Sequence, residues 1–299
     1  MTTFVRRLAA LAVLPAALIG CGTGGREPVP AAPPTVPPPA AQAPEPPATA
    51  EPPTLSPGRA GLAPVFERST APAGSTGKTV ALTFDADMTA DQGPRAARGE
   101  RFDNPPLIAS LRRLEVPSTV FMTGRWVEEY PDQARSIGGD PLFEVANHSY
   151  SHHAFASPCY GLPEVRKEQM AFEVERAFAA FRAAGVRNVV PYFRFPGGCY
   201  DDRALRALAP ARVTAVQWDV VSGDAFAENP GAVAEEVLSK VKPGSLVVMH
   251  CTRSAAPVTD EAVRRIVPAL RGRGYRFVKV SELIAMSARH ADTGGGSQQ

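Results

Sequence analysis

Residues 79–87 read Thr-Val-Ala-Leu-Thr-Phe-Asp-Ala-Asp. The run 80–84 is predominantly apolar and of strand length, and it stops on two carboxylates, Asp85 and Asp87. A continuous apolar run, rather than an alternating one, marks a strand buried on both faces. Similar runs recur at 119–122, 143–146, 189–193, 213–218, 246–249 and 275–280. Helix signals lie between them. Residues 163–184 offer Val165, Phe172, Phe178 and Phe181 for one face, Asn229-Pro230 is an N-cap followed by proline at the first helical position, and Thr259 and Ser281 are placed to cap two later helices. Strands alternating with helices predict an α/β fold with a helix-covered parallel sheet, either barrel or doubly wound.

In such folds chemistry gathers where the strands end. Asp85 and Asp87 follow the first strand, His148 and His152 the third, and Arg194 the fourth. Trp218, Asp219 and Asp224 lie at and after the fifth, and His250 ends the sixth. His148 and His152 form a His-x-x-x-His pair, which on a helical turn would share one face and ligate one metal. Ser149 stands where a zinc protease needs Glu, which excludes that enzyme class. A carboxylate from Asp85 or Asp87 would complete a three-ligand site with an open position for water. The other carboxylate would take the water's proton, and His250, oriented by Asp224 or Asp219, would protonate a leaving group.

The chain has 299 residues, 44% hydrophobic and 21% charged, which excludes disorder throughout. Its net charge of +2 is too small for a nucleic-acid partner. Four cysteines are too few for a small disulfide scaffold. Arg6, Arg7 and the apolar residues 8–19 read as a secretory signal, too short to span a bilayer. It ends in Leu18-Ile19-Gly20-Cys21, similar to a bacterial lipobox. Residues 1–21 are therefore expected to be a lipoprotein signal peptide with Cys21 lipidated. The protein would be anchored by lipid to the outer face of the bacterial cell membrane, or secreted if Cys21 is not modified. Of the 31 prolines, 13 fall between Pro28 and Pro57. Residues 22–77 are accordingly expected to be a disordered Pro/Ala-rich linker, residues 78–290 the catalytic domain, and 291–299 a disordered tail.

Five segments in order, 83–87 (Thr-Phe-Asp-Ala-Asp), 147–152 (Asn-His-Ser-Tyr-Ser-His), 194–198 (Arg-Phe-Pro-Gly-Gly), 218–224 and 247–250 (Val-Val-Met-His), resemble the motifs of the polysaccharide deacetylases, the NodB-homology carbohydrate esterases of family 4. Residues 117–124 are similar to that family's strand before the second motif. The resemblance implies a deformed (β/α) barrel that binds a divalent metal, zinc first with cobalt or nickel as alternatives. It implies hydrolysis of acetyl groups from a polysaccharide, first of all from N-acetylglucosamine units of peptidoglycan or a similar glycan. O-deacetylation of another polysaccharide such as xylan is the nearest alternative, and a degenerate, glycan-binding envelope lipoprotein the next. By the same resemblance His148 and His152 are metal ligands. Asp85 is the base that activates a metal-bound water, Arg194 holds that base, and His250 is the acid with Asp224 as its orienter. The backbone N–H near Gly197 joins an oxyanion hole, while Trp218 and Met249 wall the acetyl pocket.

Two departures stand out. Ala86 occupies the place of the family's second aspartate. If the chain is still extended there, Asp87 points to the same side as Asp85 and becomes the third ligand; otherwise the two histidines hold the metal alone. Val221 and Ala225 replace residues that are commonly Asp and Trp. Residues 88–106 form a polar insertion, read either as a solvated loop or as a flap over the glycan. Cys159, Cys199 and Cys251 all follow motifs, and an exported chain favours a disulfide between two of them, with the pair left open.

Overall fold

The computed structural model describes residues 51–70 and 77–294. The strands are β1 (Val65–Phe66), β2 (Thr79–Ala86), β3 (Ser118–Met122), β4 (Phe143–Asn147), β5 (Val189–Phe193), β6 (Thr214–Val216), β7 (Val220–Val221), β8 (Ser245–His250) and β9 (Arg276–Phe277). The helices are α1 (Gly93–Ala97), α2 (Pro105–Arg113), α3 (Gly124–Glu129), α4 (Pro131–Gly138), α5 (Met170–Ala184), α6 (Asp202–Leu208), α7 (Pro230–Lys240), α8 (Thr259–Gly272) and α9 (Val280–Gly294). All strand pairings are parallel, in the order β1-β6-β5-β4-β3-β2-β8-β7, with β9 beside the start of β2. The sheet curls into an open, deformed (β/α) barrel, as the motif pattern predicts.

Strand alternation sorts the core. Val80, Leu82, Phe84, Val120, Val247 and Met249 face the helices and pack with Leu107, Ile108, Val127, Val233 and Ile266. Ala81, Phe121, Ala146, Tyr192, Val216 and Leu246 face the inside of the curl, where Leu283 and Ile284 of α9 close one end. All eight residues of β2 are buried, which is why its sequence does not alternate; each large apolar side chain so buried contributes about 1.5–3 kcal/mol. Asp85 shares the inner parity of Ala81 and Thr83. It lies in register with Phe121 of β3 and His250 of β8.

Asn229 caps α7 as expected, accepting from the Gly231 and Ala232 N–H groups at 2.8 and 3.2 Å. The other two expected caps do something else. Thr259 donates to Asp224 Oδ2 at 2.6 Å, and Ser281 donates its N–H and hydroxyl to the buried Glu144, at 3.1 and 2.6 Å. The helix expected from 163 starts at Met170, because Ala154 and Val165 first exchange backbone bonds with each other's segment: Ala154 N–H to Pro163 O and Val165 N–H to Ala154 O. Phe172 is exposed rather than on the buried face. Nine residues separate it from buried Phe181, two and a half turns at 3.6 residues per turn, so the two point to opposite sides.

The folded domain also begins earlier than residue 78. Tyr192 donates its hydroxyl to Pro53 O at 2.8 Å, the Leu55 N–H donates to Thr214 Oγ1 at 3.1 Å, and β1 pairs with β6 at the sheet edge. Leu55, Leu62, Val65 and Phe66 are apolar exceptions among the described residues of the proline-rich stretch, and with buried Ala63 they anchor it. At the other end α9 runs on to Gly294, past the expected limit of 290. The signal sequence, Cys21 and most of the expected linker lie outside the described residues.

Candidate active site

Asp85 stands at the end of β2, buried to 4% exposure. Arg194, which follows β5 and has no exposed surface, donates Nη1–H to Asp85 Oδ1 at 2.6 Å. Its Nε donates to Val216 O at 3.2 Å, and its guanidinium lies 3.9 Å from the Phe121 ring centroid and 5.4 Å from that of Trp218. These contacts fix one carboxylate oxygen of Asp85 and leave Oδ2 facing His148 Nε2 at 3.6 Å. A charge-assisted pair of this kind orients a carboxylate strongly.

His148 and His152 do come together, with ring centroids 5.0 Å apart. They do so on a loop after β4 rather than on the expected helical turn. Ser149 and His152 adopt left-handed φ of 67° and 57°, and the Ser149 N–H donates to Asn147 Oδ1 at 2.9 Å. His148 Nδ1 lies 2.9 Å from Arg194 O. Donation of Nδ1–H to that carbonyl leaves the Nε2 lone pair free. Burial lowers the His152 pKa to about 4, against the opposing pull of Asp87, so this imidazole is neutral at physiological pH.

Asp87 lies on the same side as Asp85. Its Oδ2 is 4.0 Å from His152 Nε2, and its Oδ1 accepts from Thr252 Oγ1 at 2.6 Å. Burial opposes the charge on Asp87, but His152, His250 and Thr252 outweigh it and hold the carboxyl below its ordinary range. Among the described residues, no three His, Cys, Asp or Glu side chains already stand in metal-holding geometry. The donor set itself suits a divalent ion of borderline softness: two imidazoles, one with its second nitrogen bonded to a backbone carbonyl, and an ionised carboxylate.

His250 closes the cluster from β8. Its Nδ1 is 2.8 Å from Asp224 Oδ1, while its backbone N–H donates to Oδ2 of the same carboxylate at 2.8 Å. Thr259 and Ser222 donate to Asp224 as well, at 2.6 and 2.8 Å. Burial disfavours the imidazolium, but Asp224 more than compensates and the His250 pKa rises to about 10. Asp219 is no part of this pair, since it accepts from the Leu246 N–H and Ser245 Oγ at 2.7 and 2.8 Å.

Gly197 and Gly198 adopt φ of 62° and 72°, and a Cβ on either would fall 2.6 Å from Cys159 Sγ or Trp218 Cη2. Glycine is therefore required at both positions. Trp218 stands beside this turn. Met249 does not line the site as expected. It alternates to the opposite face from His250 and is buried against the helices, whereas Val248 shares the His250 face. Cys159 pairs with Cys199, and Cys251 is a buried free thiol whose pKa is pushed up to about 12 by burial. The insertion is packed at both ends, through buried Met88 and Phe102, Trp126 Nε1–H to Phe102 O at 2.6 Å and Ser254 N–H to Arg101 O at 2.9 Å. Thr252, Thr259 and Ser222 are the site residues that sequence reasoning missed; nothing but Ser222's place inside the 218–224 motif and the position of the two threonines after His250 distinguishes them from other hydroxyl side chains.

Residues 73–216 match the polysaccharide deacetylase family. The chain is 31% identical over 217 residues to a chitooligosaccharide deacetylase of Sinorhizobium fredii, covering 69% of this chain and 92% of the relative. The chain belongs to the polysaccharide deacetylase family. A peptidoglycan-N-acetylglucosamine deacetylase of Bacillus cereus is 27% identical over 209 residues, 69% of this chain and 88% of that one. Among solved structures, a mutant with restored activity of a CE4 family pseudoenzyme from Bacillus anthracis superposes with a TM-score of 0.59 at 25% identity, over 77% of this chain and 72% of the other. The deacetylase family is one of hydrolases acting on carbon–nitrogen bonds.

Proposed function

We propose that this polysaccharide deacetylase removes N-acetyl groups from N-acetylglucosamine units of a cell-wall or extracellular glycan. The observation that carries the reading is the pair of oriented acid–base groups in register across β2 and β8. Asp85 is held through one oxygen by Arg194, and His250 is held through Nδ1 by Asp224. Asp85 Oδ2 is the base: it accepts a proton from the attacking water. His250, protonated because Asp224 keeps its pKa high, delivers the Nε2 proton to the departing amine. Arg194 keeps Asp85 pointed, and the backbone N–H near Gly197 donates to the acetyl oxygen as it gains charge. Trp218 and Val248 flank the acetyl methyl.

Asp87, His148 and His152 would hold a divalent ion, zinc first with cobalt or nickel as alternatives. When bound, it supplies Lewis-acid polarisation of the acetyl carbonyl and lowers the pKa of water. The presence together of Asp85, His148, His152, Arg194 and His250 speaks against a degenerate, merely glycan-binding protein. The names of the relatives favour N- over O-deacetylation. The signal-like N-terminus with Cys21 and the Cys159–Cys199 disulfide support an exported, lipid-anchored enzyme.

The test is acetate release from N-acetylglucosamine oligomers and from peptidoglycan, set against acetylated xylan, with zinc or cobalt supplied. Preference for the N-acetylated substrates is expected. Release from xylan alone would move the activity to O-acetyl esters, and no release from any substrate would overturn it.

A further inference from the structure

Among the described residues, the two most exposed large apolar side chains are Tyr160, at 90%, and Phe226, at 83%. Both adopt left-handed φ, 49° and 60°, a conformation that bulky residues rarely hold without a reason in the surrounding structure. Both are held in it by local bonds. Tyr160 sits in a turn closed by the Leu162 N–H to Cys159 O at 2.8 Å, and its neighbour Cys159 is bonded to Cys199. The Phe226 N–H donates to Ala255 O at 2.6 Å. Neither ring is displayed by a floppy loop.

Their positions are related to the site. Tyr160 hangs from the loop after β4, with its Cδ2 3.2 Å from where a Cβ of Gly197 would stand. Phe226 follows β7, two residues after Asp224. In the sheet, β4 is two strands from β2 on one side and β7 two strands from it on the other. The two loops therefore rise on opposite sides of the strand that carries Asp85 and Asp87. An exposed aromatic face pairs with the apolar C–H face of a pyranose.

We propose that Tyr160 and Phe226 are stacking platforms for sugar units on either side of the reacting one. The enzyme would then select an internal residue of a β-linked N-acetylhexosamine chain rather than a free monosaccharide or a chain end. This rests on the reading of the site as a glycan N-deacetylase.

The experiment compares kcat/KM for acetate release from N-acetylglucosamine hexamer and dimer. It also measures binding of the same oligomers by calorimetry, which needs no turnover. Tyr160→Ala and Phe226→Ala are each expected to lower the hexamer-to-dimer ratio about tenfold, mainly through KM, corresponding to one decade in affinity. Tyr160→Phe and Phe226→Trp should restore it. Phe172→Ala, an exposed aromatic on α5, should leave the ratio unchanged. An active enzyme whose length preference is the same in both alanine variants overturns the platforms and leaves the reaction standing. An enzyme inactive on every oligomer, whose hexamer binding still weakens in both variants, overturns the reaction and supports the platforms.

Discussion

The Asp224 carboxylate grips His250 twice, Oδ1 facing its Nδ1 and Oδ2 accepting its backbone N–H, both at 2.8 Å. The first contact fixes the imidazole's tautomer and charge, and the second fixes where β8 ends. Since burial alone would discharge the imidazole, its pKa of about 10 is the work of this carboxylate. Asp224→Asn is therefore expected to bring the alkaline limb of kcat/KM down by at least about one pH unit and to lower kcat by about 10²-fold. A pH–rate profile of the two proteins checks both. An unmoved alkaline limb would mean that the acid is another group.

The same pair makes stability depend on pH. The folded pKa of His250 lies above the unfolded value of about 6.5. Its stabilising contribution is thus complete below pH 6.5 and is lost as pH rises through about 10. Wild type should lose stability between those limits, and Asp224→Asn should lose less over the same interval. Urea unfolding at neutral and alkaline pH measures the difference.

Arg194 is buried with its partner. Replacing it with methionine leaves the buried Asp85 carboxyl without its guanidinium partner, and breaking a buried pair in this way typically costs about 3–5 kcal/mol. The variant should unfold at clearly lower urea and be inactive. Asp85→Asn with Arg194 retained should unfold later than Arg194→Met, because a neutral amide can still accept the Nη1–H. Equal stability of the Arg194→Met variant and wild type would mean that the pair is not the brace of this site.

Much of this site was legible because its chemistry is carried by single residues at strand ends: Asp85, Arg194 and His250 each sit where an apolar run stops. What failed was reasoning from period across an unseen turn. The His-x-x-x-His spacing fits one helical face, yet the chain reaches the same juxtaposition through left-handed Ser149 and His152. Met249, expected in the acetyl pocket, is placed opposite His250 by strand parity alone. The disulfide partner of Cys159 depends on which loops lie side by side, which spacing does not encode. The seating of residues 51–70 hangs on Leu55, Leu62, Ala63, Val65 and Phe66, too scattered in a proline-rich stretch to form a pattern.

Asp85 and Asp87 have different neighbours and should fail differently. Asp85 is tied to Arg194, whereas Asp87 faces His152 and Thr252. Asp85→Asn is expected to keep its metal content after dialysis while kcat drops by about 10²–10⁴. Asp87→Ala should lose metal content, as should His148→Ala. Full metal content in Asp87→Ala would show that the two histidines hold the ion without it, and that Ala86 has cost the chain a ligand.

The Cys159–Cys199 bond joins the loop after β4 to the turn after β5 across 40 residues of sequence. Loop-closure entropy for that length gives about 4 kcal/mol, the upper end of the 2–4 kcal/mol that such bonds usually contribute. The bond also acts on the site. Cys159 Sγ stands 2.6 Å from where a Cβ of Gly197 would be, so the disulfide packs directly against the glycine turn that carries the N–H assigned to the acetyl oxygen in the proposed reaction. The double variant Cys159→Ser, Cys199→Ser should unfold about 2–4 kcal/mol more easily and should also lose kcat/KM. Reductant should reproduce both effects in wild type and neither in the variant. Thermal melts and acetate release with and without reductant test this. A melting temperature indifferent to reductant would mean that the pairing is not formed in the protein.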